Sequence, residues 1–197
     1  LLIITESEFG EEDVFIRFAK VFEQTYTRFL DLQIAEAQGR EAQIEVSLER
    51  VRARAMAMHK SEELGEAAVI LFKEFRSLGI DQFVNCGYVI VDETNKKQHA
   101  WMTTPDGHFL EQIHLPLTGD PVLNERYKSW KKKESLFHQK ITGKVYKDHF
   151  DFVLTSPDYG SVAMEEITRT ELPDPVIFYC GNFSAGYLHL ICHSVLN

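Results

Sequence analysis

Eight histidines and three cysteines are the side chains with most chemistry to offer. His189 and His193 lie four apart in YLHLICH, a stretch that reads as a strand. They would share a face but stand about 13 Å apart along it, too far to hold one ion. His189, Cys192 and His193 lack the short paired spacing of a zinc site, and His108 and His114 only flank another strand. No metal site is expected. Cys180 sits mid-strand before Gly181, and His149 or His189 could approach it as a base approaches a nucleophile. Nothing local links them, and a small buried thiol is the commoner role. A redox-sensitive Cys180 or Cys192 stays open. The GKVYK segment at Gly143 lacks the upstream glycine of a phosphate-binding loop. No catalytic residue is expected here, so an output enzyme such as a kinase would lie outside this segment.

The aromatic side chains point elsewhere. Trp101, Tyr127, Trp130, Phe137, Tyr146 and Tyr179 are spread over the segments that read as strands and as two inserted helices. Tyr and Trp combine an apolar body with a polar tip, which suits them to line a small-molecule pocket. These six are the expected ligand-binding residues, although each taken singly would serve equally as core. The ligand and any cofactor are left unknown.

The elements that must position them follow a long helix. Residues 11–60 contain no proline and one glycine, Gly39, and are rich in Ala, Glu, Gln, Arg and Leu, all good helix formers. A continuous helix of that span would be roughly 75 Å long, and helix propensity alone is marginal in water. Phe15, Phe18, Phe22 and Phe29 fall on one face. Ile44, Leu48, Val51, Ala55 and Met58 alternate spacings of four and three, which is a heptad seam. The two registers differ, with a phase slip between Leu30 and Gly39 of the kind that locally over- or unwinds a coiled coil. A parallel homodimer through these nine residues is expected. The alternative is a helix packed on its own domain.

After the long helix, Ser61 is expected to cap a second helix that runs to about Leu78. Strands are expected over 83–91, 98–103 and 109–117, with Pro116 marking an edge. A helix over 120–134 has Asp120 as cap and Pro121 at its first position. A strand over 136–141 and a helix capped by Thr142 follow, and strands over 176–183 and 187–193 close the chain. Consecutive strands with helices between them predict an α+β fold, a five- to six-stranded antiparallel sheet flanked by helices.

Composition limits the function. The formal net charge of −9 over 197 residues leaves no excess of Lys and Arg for nucleic acid. No apolar run reaches the ~20 residues that span a bilayer. Three sparse cysteines suit a reducing compartment. The first residue is not methionine, and the chain is read as a piece of a longer, cytoplasmic protein.

The residues FAKVFEQTYTRFLDLQIAEAQGREAQIEVSLERVRARAM resemble the linker helices that join sensor modules in bacterial signalling proteins, histidine kinases in particular. The continuation MHKSEELGEAAVILFKEFRSLGI is similar to the lead-in to their GAF-like domains, and the order of elements after it resembles a GAF domain, an α/β ligand-binding module close to PAS domains. The resemblance spans Phe18 to Asn197. It implies a GAF/PAS-like sensor domain over 61–197 after a signalling and dimerisation helix over 11–60. The two inserted helices would enclose a ligand pocket on one sheet face. It carries no chromophore or cyclic-nucleotide motif. Leu1–Glu6 resembles Leu188–His193, which implies that 1–10 closes a preceding module. The expected function is a two-component-type sensor module that binds a small molecule or relays a conformational signal. A ligand-free structural dimerisation module is the alternative, and a small cytosolic enzyme a third reading.

Overall fold

The computed structural model describes residues 2, 10–58, 63–110, 112–156 and 174–196. The chain divides into two units, Leu1–Leu48 and Glu49–Asn197. The described part of the first unit is almost wholly helix, the bulk of α1 (Glu12–Met56). Glu12 and Asp13 in its first turn and Arg54 in its last complement the helix dipole. The hydroxyls of Thr25 and Thr27 turn back to the carbonyls of Val21 and Glu23 at 2.9 and 3.0 Å, which satisfies them without leaving the helix. Phe18, Phe22 and Phe29 are 51–59 % exposed. Of the seam residues, Ile44, Val51 and Met58 are half-buried, and Leu48 and Ala55 are exposed. The expected strand Leu1–Thr5 lies outside the described residues apart from Leu2, and so does the expected cap Ser61.

The second unit is built on one six-stranded antiparallel sheet in the order β3-β2-β1-β6-β5-β4. Its strands are β1 (Phe83–Asp92), β2 (Lys97–Met102), β3 (Ile113–Pro116), β4 (Leu136–Ile141), β5 (Val176–Phe183) and β6 (Gly186–Cys192). Two hairpins, β1–β2 and β5–β6, lie side by side through the β1–β6 ladder. Its helices are α2 (Leu64–Ser77), α3 (Pro121–Lys131) and α4 (Gly143–Leu154).

Side chains alternate across a strand, so the sheet has two distinct faces. Val89, Ala100, Met102, Phe178, Tyr187 and Ile191 share one face and pack with Val122 of α3 and Val153 of α4. Cys86, Ile177 and Cys192 share the other and pack with Phe72 of α2. Phe83 has the numbering parity of the first face but belongs to the second. The register shift between Phe83 and Asn85 accounts for this, because an extra residue reverses the phase of the alternation.

Most element boundaries match the expected ones, with two differences. The third strand is shorter than 109–117. The chain turns over 104–107, where the Thr104 hydroxyl accepts the His108 amide at 3.0 Å, and only an isolated Thr103–Phe109 bridge precedes β3. Pro116 ends an edge strand, where its missing N–H does no harm. The second difference corrects the expected cap of α4. The Thr142 side chain makes no cap bond. Its hydroxyl donates instead to Asp174 Oδ1 at 2.6 Å, and the Asp174 carboxylate receives the Gly143 amide at 3.3 Å. A carboxylate from a distant segment outcompetes the local hydroxyl for the first helical amide, because it carries a full charge at the positive end of the helix.

Gly87 marks a close backbone approach in the sheet. A Cβ there would stand 1.9 Å from the Trp101 carbonyl oxygen and 2.8 Å from Met102 Cα, whereas one at Gly181 would meet only Leu188 Cβ, at 3.8 Å. Gly87→Ala is therefore expected to destabilise the domain by about 1–3 kcal/mol, and Gly181→Ala to change stability by less than about 0.5 kcal/mol. Urea unfolding of the two variants checks this, and equal losses would refute the close approach.

Candidate functional site

Between the first sheet face and helices α3 and α4 lies a cavity of ≈ 80 Å³. Its wall is mostly apolar, with Val89, Ala100, Met102, Ile113, Phe178 and Ile191 among its residues. Seven polar side chains also reach it: Asn85, Gln98, Thr104, Arg126, His149, Tyr187 and His189.

Arg126, Asp120, His149 and His189 are each placed by their element. On α3, the buried positions are Val122, Leu123, Arg126 and Ser129, the spacing of one helical face. Arg126 thus takes a place where an apolar residue is expected, and is 4 % exposed. Its guanidinium carbon lies 3.9 Å from the centroid of the Phe178 ring, a close cation–π contact. Asp120 caps α3, accepting the Leu123 amide at 2.9 Å, with Pro121 next. The same Oδ1 atom lies 2.9 Å from His149 Nδ1. A carboxylate only accepts, so Nδ1 of His149 carries the proton and Nε2 is left as an acceptor. On α4, His149 and Val153 are the buried positions, one turn apart. On β6, His189 lies between Tyr187 and Ile191 on the inward face, its ring stacked 5.4 Å from Phe178.

The electrostatics follow from burial. His149 is held below its ordinary value by desolvation and by the charge of Arg126, against the pull of Asp120. His189 is held well below by desolvation, then by Arg126 and His149. Burial pushes Asp120 up, but its hydrogen bonds to His149 and Leu123 and the nearby charges outweigh this and leave its carboxyl below the usual range. Two buried neutral histidines therefore face a carboxylate and a guanidinium.

Hydrogen bonding is uneven. The Tyr187 hydroxyl donates to Gln98 Oε1 at 2.6 Å, and Gln98 Nε2 donates to the Pro116 carbonyl at 3.1 Å. Arg126 Nε and Nη2, His189 Nε2 and Asn85 Oδ1 are buried with no hydrogen-bond partner among the described residues. Such groups are uncommon in native proteins.

None of the six aromatic residues expected to bind ligand lines this cavity. Trp101 lies on the opposite sheet face, its ring stacked 5.2 Å from Tyr88. Tyr179 also lies on that face, where its hydroxyl accepts the Leu196 amide. Tyr127 and Trp130 stack on each other at 6.1 Å on the outer side of α3, and Trp130 lines a separate surface cleft with Glu93 and Lys131. Phe137 and Tyr146 pack against the same core as the cavity but do not reach it. Parity and helical phase separate these residues. Trp101 and Tyr187 sit on neighbouring hairpins, yet only Tyr187 has the inward phase. The polar set went unassigned. The signal available for it was a charged residue on the apolar face of α3.

The thiols are not activated. Cys180 pairs with His189 across β5 and β6, but burial pushes its thiol up to about 11, and Cys86 and Cys192 are pushed up to about 12 and about 11 for the same reason. Thiolates are the reactive form. Elsewhere, His99 and His114 face each other across β2 and β3 with their Nδ1 atoms 2.7 Å apart. Among the described residues no three His, Cys, Asp or Glu side chains gather as a metal site.

No protein-family model, curated protein or solved structure matches the chain.

The buried histidines set a pH dependence. In the unfolded chain both take up a proton as pH falls through about 6.5, their ordinary value, while the folded state resists. The unfolded state binds more protons, so stability falls with pH below that point. Urea unfolding at pH 7.5 and pH 5 is expected to show lower stability at pH 5, with a smaller loss in His189→Gln than in the natural chain. A loss unchanged by that substitution would show that His189 does not titrate as described.

Proposed function

We propose that this chain is a sensor module of a bacterial signal-transduction protein, GAF-like in architecture. It dimerises through α1 and takes a small molecule into the cavity under α3 and α4. It relays the change to an output domain outside this segment. The observation that carries the reading is the cavity itself, an apolar space with four buried polar atoms awaiting partners. A module whose core served only for structure would have little reason to leave them unsatisfied, since each buried unpaired group costs about 1–3 kcal/mol. The antiparallel strand order, with helices inserted before and after β4, supports the same reading.

Two ion pairs support the relay. Arg50 meets Glu74 at 3.3 Å, and Arg54 pairs with Glu66. Both join the last turns of α1 to α2, whose Phe72 packs on the sheet face opposite the cavity. Exposed pairs of this kind contribute little stability. Their role in the proposal is to hold the two helices in register, so that a displacement of the sheet reaches α1. No helix among the described residues is long and apolar enough to cross a membrane. A cytoplasmic setting belongs to the proposal through the resemblance to histidine-kinase linkers, and no role with nucleic acid is proposed for a chain of charge −9.

The exposed aromatic stripe of α1 is the proposed dimer contact. Native mass spectrometry is expected to find a dimer, and Phe18→Glu combined with Phe22→Glu is expected to give a monomer with an unchanged circular dichroism spectrum of the sheet. A natural chain that is monomeric at tens of micromolar would overturn the dimer. The same spectra would report any small molecule that co-purifies.

A further inference from the structure

Arg126 defines the ligand more narrowly than the cavity alone. Its two unpartnered atoms, Nε and Nη2, are not an arbitrary pair. In a guanidinium the Nε–H and one Nη2–H lie parallel along one edge, the fork that receives both oxygens of a carboxylate. That edge is buried and unmatched among the described residues, while the flat face of the group is already used by the Phe178 ring. Asp120, the nearby carboxylate, has its Oδ1 committed to the Leu123 amide and to His149. It balances the charge of Arg126 without filling the fork.

Size and charge limit the partner further. A cavity of ≈ 80 Å³ has room for roughly six water-sized groups at ~10–15 Å³ each. One guanidinium, already partly balanced by Asp120, suits a single negative charge and not the double charge of a phosphate monoester. The remaining wall is mostly apolar and would take a short alkyl chain.

We infer that the ligand of this cavity is a small monocarboxylic acid, bound through both carboxylate oxygens to Nε and Nη2 of Arg126, with its apolar body against Val89, Met102 and Ile113. This rests on the reading of the cavity as a ligand site. His189 Nε2 and Asn85 Oδ1 remain to meet polar groups elsewhere on the acid.

The test is calorimetric titration of the purified chain with propanoate and butanoate, each compared with its neutral amide of the same shape. Three proteins are compared: the natural chain, Arg126→Met and Arg126→Lys. The acids are expected to bind the natural chain about 10- to 100-fold more tightly than the amides. Arg126→Met is expected to lose that preference, and Arg126→Lys, which keeps the charge but not the fork, to lose most of it. Arg126→Met also removes the charge that Asp120 balances and the contact with Phe178, so a lower melting temperature is expected whatever the role of Arg126, and the acid–amide preference is the deciding readout. A merely structural arginine would leave that preference intact. The comparison of acid with amide on the natural chain needs no variant, so a variant that fails to fold does not block it. If amides and acids bind alike, the carboxylate inference is overturned while the cavity stands as a ligand site. If neither class binds at millimolar concentration, both readings fall.

Discussion

The register of β1 against β6 is the constraint on which the rest depends. Gly87 pairs with His189 and Val89 with Tyr187, which sets the inward phase of both central strands and, through the two hairpins, of their neighbours. A slip of one residue would turn every side chain of one strand to the other face. With β6 displaced, His189 and Tyr187 would meet the face under α2, and with β1 displaced, Cys86 would meet the cavity. The bulge between Phe83 and Asn85 works within this constraint. It lets one strand send Phe83 under α2 and still present Val89 to the cavity.

Asp120 is the second joint. One carboxylate oxygen ends α3 by accepting the Leu123 amide and also holds His149 of α4. The position of the helix that carries Arg126 is thereby tied to the helix that carries His149. Both groups surround Phe178, with Arg126 over the ring and His149 at 5.7 Å edge to face. Polar groups placed this way in an apolar interior interact strongly. A charge entering the cavity would be felt at once by α3, α4 and the sheet. The two sides of the sheet differ. One face holds the polar cavity, and the other is a packed contact between α2 and the sheet, with Phe72 and Phe75 set edge-on to Phe83.

Much of the fold was legible because it is written locally. Propensity and the absence of breakers define α1, and Asp120-Pro121 announces the start of α3 three residues ahead of the amide that the cap binds. Turn residues at 93–96 and 184–185 separate strands whose limits match the expected ones within a residue or two. The α+β antiparallel sheet followed from the order of those elements. The exception at α4 has a long-range cause. Thr142 looked like a cap because its neighbours are local, and Asp174 took the role from 32 residues away.

The sequence by itself determined the elements, their order and the apolar stripe on α1, since all three arise from residues within one or two turns of each other. It did not determine which side chains share the cavity. The aromatic residues were marked by type, but type does not report phase across a sheet or a helix. Arg126, His149, His189 and Asn85 come from four separate elements. Only the tertiary structure withdraws them from water together and leaves atoms of Arg126, His189 and Asn85 without partners among the described residues. The chemistry of the site lies in that shared burial, because a guanidinium in water is already satisfied, and one against Phe178 with its fork empty is not.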